Sequence, residues 1–395
     1  MLTITNGTIL KGLDLKPSKE NILIDNGEII EISPDICEGE IIDAECCIVS
    51  PTFLNAHTHI GDSIIKDEGD GLSLSEIVKP PNGIKHIALE ESEDEDIINA
   101  MREAMFLMLD SGTTHFIDYR EGGVEGVKLL KKASKNIPIN PIILGRDDSF
   151  YEDNPDLHKV KIRLRKLLKC ADGVAPSGFG EISPEVAELI VKECEKKSKI
   201  SSIHVAESIN AQNKAINKYG LSEVELGVKF GFNQLVHLTN TVNNDIDFVV
   251  GANANVTFCP RANASLGVGI PNICDFLSNG KKPLIGSDNL MINTPNIIRD
   301  LEFTLKIIRA KFKKMIAPKE ILKLATTNVC HKSNFHLNEI IKKTTIEKNN
   351  KAQIMISKKL SKNNYLSIIN RTETKNIKYI LNENFNIPQS KFKKV

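Results

Sequence analysis

From residue 51 onward the chain alternates short apolar runs with longer stretches of helical period, and that rhythm limits the folds open to it. Candidate strands fall at 52–55, 114–119, 140–144, 173–180, 202–206, 234–238, 255–259 and 283–286. Amphipathic helical patterns separate most of them, for example at 95–111, 124–135, 184–199 and 222–231. Ser183-Pro184 reads as an N-cap followed by proline at the first helical position, with Glu185 in the first turn. Eight strands separated by helices predict an α/β protein built on a parallel (β/α)8 TIM barrel. A doubly wound open sheet is the alternative on pattern alone. The chain has no G-x-G-x-x-G or G-x-x-x-x-G-K-[ST] loop to support a nucleotide-binding version of it.

The flanks read differently. Runs at 2–9, 21–24, 29–32 and 45–49 are rich in β-branched residues and broken by Asn6-Gly7 and Asn26-Gly27, which predicts a small all-β unit. The last stretch returns to β-like pieces at 352–356, 365–370 and 377–381, ahead of a tail at 389–395 expected to fray. The expected division is therefore 1–50, a barrel at 51–342, and 343–395.

Charge and cysteine usage exclude several classes. With 51 Lys+Arg against 51 Asp+Glu, the zero net charge gives no reason to expect nucleic acid or a membrane surface as partner. Hydrophobic residues at 41% and charged ones at 26% exclude wholesale disorder. No apolar run approaches the roughly eighteen residues of a spanning helix. The first residues lack the basic flank and apolar core of a secretory signal. The eight cysteines are scattered without a C-x-x-C pair, so reduced thiols in a cytoplasmic protein are expected.

The chemistry-bearing residues gather where strands are expected to end, at the mouth where barrel active sites are built. His57 and His59 are two apart, so both face the same way, and two imidazoles so placed can share a metal ion. H-x-H alone is a weak signal. His204 supplies a third imidazole, and Glu207 follows it by three residues, able to lean over a bound molecule. His237 alone would read as a hydrogen-bonded core histidine, and Asp288 alone as a turn or N-cap aspartate. Together the set is hard to assign to separate structural accidents. The other histidines (His86, His115, His158, His331, His336) read as surface or packing residues.

The set Pro51-x-x-x-Asn55-x-His57-x-His59, then His204-x-x-Glu207, then His237, then Ser287-Asp288 resembles the amidohydrolase superfamily. The closest likeness is to its deaminase branch, which includes cytosine, guanine and S-adenosylhomocysteine deaminases and triazine hydrolases. Cys259-Pro260-Arg261-Ala262-Asn263 is similar to the C-P-x-S-N segment of these enzymes, with Ala262 in place of Ser. The resemblance implies that both chain ends build one β-sandwich beside the barrel. Asn349-Asn350-Lys351-Ala352-Gln353 departs from the family's usual Gly-x-x-Ala-Asp, which bears on the sandwich pairing and not on the site. The fourth strand lacks the carbamylated lysine of two-metal members. Glu181 beyond it has three readings: substrate contact, second-metal ligand or structural residue.

On this reading His57, His59, His204 and Asp288 hold one divalent ion with an open position for water. Zinc suits the donor set, and Fe(II) or Mn(II) tolerate it. Asp288 accepts the water proton, His237 polarises the attacked atom, and Glu207 shuttles a proton to the leaving amine. The expected substrate is a small heterocycle carrying a cyclic amidine, with hydrolysis of a cyclic amide or displacement of halide as the alternative and a catalytically dead scaffold as the third reading. The cytidine-deaminase design requires H-x-E and P-C-x-x-C, which are absent, as are H-E-x-x-H and G-x-S-x-G. Residues 61–90 form a long connection and a candidate lid, stiffened by Pro80 and Pro81. Arg120, Glu121 and Arg146 are candidate substrate contacts or salt-bridged rim residues. A dimer or tetramer would be ordinary for such a family.

Overall fold

The computed structural model describes residues 1–395 except 80, 81, 243, 253, 332, 333, 342, 343, 383, 384 and 389–395. Its centre is a ring of parallel strands: β1 (Phe53–His59), β2 (Thr113–Arg120), β3 (Asn140–Gly145), β4 (Gly173–Val174), β5 (Ile200–Val205), β6 (Gln234–His237), β7 (Asn255–Phe258) and β8 (Leu284–Ile285). Each pairs in parallel with the next. Just beyond β8, Asp288 and Asn289 pair in parallel with Thr58 and His59 of β1. The eighth strand thus returns to the first, and the sheet closes into a barrel. Gly286 permits this approach: a Cβ there would lie 2.5 Å from the Cβ of His57.

Period-two alternation builds the two packed layers. Ile117, Ile142, Leu144 and Val236 pack inside the barrel. Phe53, Phe116 and Ile143 face the surrounding helices. The helix Pro184–Glu195 begins where Ser183-Pro184 places it, with Ser183 Oγ accepting from the backbone N–H of Val186 at 3.3 Å.

The run expected at 173–180 is strand only over Gly173–Val174. Ala175 donates its N–H back to Gly145 O at 3.1 Å, and Pro176 has no N–H to offer a ladder, so the chain leaves the sheet.

Two further sheets hold the chain ends. One orders Glu28–Ser33, Asn21–Asp25, Leu2–Thr5 and Glu40–Asp43. The other interleaves N- and C-terminal segments as Phe385–Pro388, Ile377–Asn382, Ile354–Lys358, Cys47–Pro51, Thr8–Lys11 and Lys16–Ser18. Ile4, Ile9, Ile22, Val49, Ile354 and Ile356 share one apolar core between the sheets.

The piece expected as strand at 365–370 is instead the helix Asn364–Arg371. Asn363 caps it by accepting from Leu366 N–H at 3.0 Å. Tyr365, Leu366, Ile368 and Ile369 form a stripe that packs onto the barrel's helical layer. Spacings of three and four, not two, were the correct period there. The tail at 389–395 and the two prolines of the first connection lie outside the described residues. No helix among the described residues is long and apolar enough to cross a membrane, and all eight cysteines are free.

Candidate active site

The histidines meet at the C-terminal mouth of the barrel. The His57 ring centroid lies 5.0 Å from His59, 5.1 Å from His204 and 5.4 Å from His237. Asp288 Oδ1 lies 3.2 Å from His57 Nε2 and 3.7 Å from His59 Nε2. Ligand-capable atoms of His57, His59 and His204 all fall within 4.8 Å of one another, as do those of His57, His237 and Asp288.

How β1 delivers its two histidines is not simple alternation. Leu54 and Ala56 belong to the barrel interior, so strict parity would turn His57 and His59 outward. The register of β1 against β2 shifts between Asn55 and Thr58, and the His57 ring lies 4.0 Å from the interior Tyr119. Asn55 then ties β1 to the segment after β8: its Nδ2 donates to Ser287 Oγ at 2.7 Å, and Ser287 N–H donates to its Oδ1 at 2.9 Å. Asp288 follows this clasp with φ at 64°, and His237 ends β6 with φ at 77°. Left-handed backbone at such residues costs on the order of 1–3 kcal/mol each and concentrates at functional sites.

His204, His237 and His59 are oriented from behind. His204 Nδ1 lies 3.2 Å from Pro176 O, and His237 Nδ1 lies 3.2 Å from Asn263 Nδ2. His59 Nδ1 faces Tyr119 O at 3.2 Å and Glu121 Oε1 at 3.3 Å. With the proton on Nδ1, Nε2 of His59 presents a lone pair to the centre. Arg146 Nη2 is 3.1 Å from the same nitrogen, yet donates more closely to Glu121 Oε1 at 2.6 Å.

Burial drives the protonation states. It pushes His57 down to about 4 against the pull of Asp288, and holds His59 and His204 well below the ordinary imidazole range. Burial alone would raise Asp288, but the imidazoles around it outweigh that and keep the carboxyl well below its ordinary range. His57, His59 and His204 are therefore neutral imidazoles beside a carboxylate, the forms that donate lone pairs. Both ring nitrogens of His57 are buried without a hydrogen-bond partner. A divalent cation bound between Nε2, which faces Asp288 Oδ1 at 3.2 Å, and that carboxylate would satisfy this nitrogen, so the residues present fit one.

A cavity of about 540 Å³ opens over this centre, lined by His59, His204, Glu207, His237 and Asp288. Glu207 Oε2 lies 3.7 Å from His237 Nε2, and burial raises its carboxyl above the ordinary range, opposed by His237. Glu181 lines the same cavity. Its Oε2 is buried without a partner, and burial raises its pKa. Arg146 also reaches the wall, with Nη1 donating to Ser177 Oγ at 3.1 Å.

Arg120 is not brought to the cavity. It lies under Gly61, where a Cβ would collide with the guanidinium, and its Nη2 donates to Glu121 Oε2 at 2.7 Å. Sequence reading overlooked Asp62 and Lys85 entirely, because no motif marks them. It quoted Asn263 only as part of a segment, without its contact to His237.

The described residues of the connection at 61–90 hold a 3-10 turn, Ile60–Ile65, and two short helices, Leu74–Val78 and Ile84–Glu91. Its Ser73, Ser75, Val78 and Lys79 form part of the cavity wall.

A model of the amidohydrolase family matches residues 48–380, and the chain belongs to this family of metal-dependent hydrolases. It is 44% identical over 382 residues to a Methanothermobacter thermautotrophicus protein named "Putative aminohydrolase", covering 96% of this chain and 97% of that one. It is 26% identical over 341 residues to a 5-methylthioadenosine/S-adenosylhomocysteine deaminase of Caldicellulosiruptor saccharolyticus, covering 82% and 78%. Among solved structures, an adenosine deaminase from Xanthomonas campestris with bound zinc superposes with a TM-score of 0.83 at 14% identity, over 98% of this chain and 92% of that one. That likeness is one of fold.

Proposed function

We propose that this protein is a metal-dependent hydrolytic deaminase that releases ammonia from an amidine in a small heterocycle, a nucleobase, nucleoside or pterin-like ring. The observation that carries the reading is Glu207, set 3.7 Å from His237 in a cavity that His59, His204 and Asp288 also line. The deaminase named above, matched over most of both chains, supports a purine nucleoside as the first substrate to try.

His57, His59, His204 and Asp288 would hold one divalent ion, with zinc suited to three nitrogens and one oxygen. Once bound, such an ion makes water nucleophilic near neutral pH. Asp288 accepts a proton from the attacking water at its carboxylate. Glu207, whose carboxyl burial raises above the ordinary range, donates its proton to the ring nitrogen, takes the proton of the added hydroxyl and passes it to the departing amine, and is reprotonated from Asp288. His237 lies beside Glu207 to steady the oxygen added to carbon. Glu181, with an unpartnered oxygen in the wall, is placed to accept from a ring or sugar donor. Overall one water is consumed, the exocyclic C–N bond breaks, a carbonyl forms, and ammonia leaves.

Ammonia release should appear when the zinc-loaded protein is screened against nucleobases, nucleosides, pterins and triazines. Product that forms from an amide or chloride without ammonia would overturn the deaminase reading.

A further inference from the structure

Behind His59 lies a cluster of six charged side chains that the chemistry above does not use. Lys85 is only 2% exposed although it belongs to a short surface helix, Ile84–Glu91. Its Nζ donates to Asp62 Oδ2 at 3.1 Å and to Glu121 Oε1 at 2.8 Å. Glu121 Oε1 also accepts from Arg146 Nη2 and faces His59 Nδ1. Arg120 pairs with Glu121 Oε2 at 2.7 Å and sits 3.6 Å from Asp118 Oδ2. Three acids thus balance three bases, and Lys85 is the one base supplied from the connection at 61–90.

A buried ammonium is tolerated only when paired, so Lys85 enters this position only while Asp62 and Glu121 receive it. With Lys85 withdrawn, the cluster would hold one uncompensated carboxylate against His59. Glu121 would then be free to shift toward Arg120 and Arg146, away from His59 Nδ1. The lysine also sits where it can secure the cavity wall. Ser73, Ser75, Val78 and Lys79 precede it in the same connection, and Ile77 and Ile84 share a small apolar core with Ile65 and Met291.

We propose that Lys85 is a positioning residue that joins two functions: it seats the connection at 61–90 as a wall of the cavity and, through Glu121, holds His59 in its metal-binding orientation. The proposal rests on the reading that His57, His59, His204 and Asp288 bind an ion. Partners behind a metal-bound histidine typically change metal affinity by about 10–100-fold when removed.

The test compares wild type, Lys85→Met, Glu121→Gln and the double variant. Zinc affinity is read by competition with a chromophoric chelator, and limited proteolysis of the metal-free proteins reports whether residues 61–90 stay seated. Lys85→Met should weaken zinc binding by about 10–100-fold and expose the connection to cleavage. Glu121→Gln should weaken zinc to a similar degree, and the double variant should be little worse than either single one, because both act through one path. Lys85→Arg, which keeps the charge, should recover part of the zinc affinity. Full zinc affinity in Lys85→Met, or effects that multiply in the double variant, would overturn the proposal while leaving the metal site intact. A wild type that binds no divalent ion would overturn the metal reading itself, and this inference with it. Should Lys85→Met fail to fold, Glu121→Gln and Lys85→Arg decide alone: unchanged zinc affinity in both overturns the link.

Discussion

Two buried polar clusters lie side by side at the barrel mouth, and they differ in how their charges are met. Around Lys85 every charged group has an opposite charge within 4 Å, from 2.6 Å for Arg146–Glu121 to 3.6 Å for Arg120–Asp118. Around His57 three imidazoles and a carboxylate converge with no side-chain cation among them; His57 Nε2 faces Asp288 Oδ1 at 3.2 Å, and its Nδ1 is buried without a partner. The first cluster is neutralised in charge by the chain's own residues, although Asp62 Oδ1, Asp118 Oδ2 and Arg146 Nε keep no hydrogen-bond partner. The second is an excess of lone pairs, which burial makes costly unless something from outside completes it. Burial and residue type are shared; the balance of donors and acceptors separates a structural network from a binding site.

The contrast can be broken by mutation. Asp288→Ala should remove a metal donor and the acceptor of the water proton together. Turnover should fall beyond the roughly 10⁴-fold ceiling of a single acid or base, with metal lost on desalting, as metal analysis would show. Retention of the ion by this variant would move Asp288 out of the donor set. Glu207→Gln should keep the ion and fold while turnover drops by roughly 10²–10⁴-fold, checked by steady-state ammonia release. Full activity would end its role as proton shuttle.

On the other side of the comparison, Arg120→Met should act on stability rather than on substrate. Leaving Glu121 and Asp118 short of a partner should cost about 3–5 kcal/mol in chemical denaturation, with KM little changed because Arg120 does not line the cavity. A raised KM at unchanged stability would place Arg120 at the substrate after all.

The smallest effect concerns Glu223, a buried acid whose Oε2 accepts from Ala206 N–H at 2.9 Å. Burial pushes its pKa up to about 7 from 4.5. The folded chain then holds this proton more tightly than the unfolded one. Its contribution to stability is complete below about pH 4.5 and fades as pH rises through 7. Glu223→Gln, which can keep the bond to Ala206, should therefore gain on wild type between pH 5 and pH 8, by at most about 3 kcal/mol. Parallel melting curves with no pH-dependent gap would show that this carboxyl titrates normally.

The barrel and the β character of both flanks were readable in order along the chain, the shared sandwich came from the resemblance, and the candidate lone-pair donors were named from their places at strand ends. Apolar runs of fixed period and residues at strand ends are local properties, and eight repeats of one local pattern leave few topologies. His57, His59, His204, Glu207, His237 and Asp288 belong to that level.

What the chain could not show alone depends on distant contacts or on one-residue shifts. The piece at 365–370 became a helix because a barrel-facing stripe outweighed its β-branched composition. The inward turn of His57 and His59 rests on a shift of register between β1 and β2. Arg120, Glu121 and Arg146 read alike as candidate contacts, yet only Arg146 of the three reaches the cavity wall. Lys85, an unremarked lysine in a long connection, is buried beside residues that lie twenty-three and thirty-six positions away. Periodicity decides which face a residue takes, and the sequence carries it. Which charges neutralise one another, and which are left open for a ligand, is set only when the tertiary fold brings separate segments within a few ångströms.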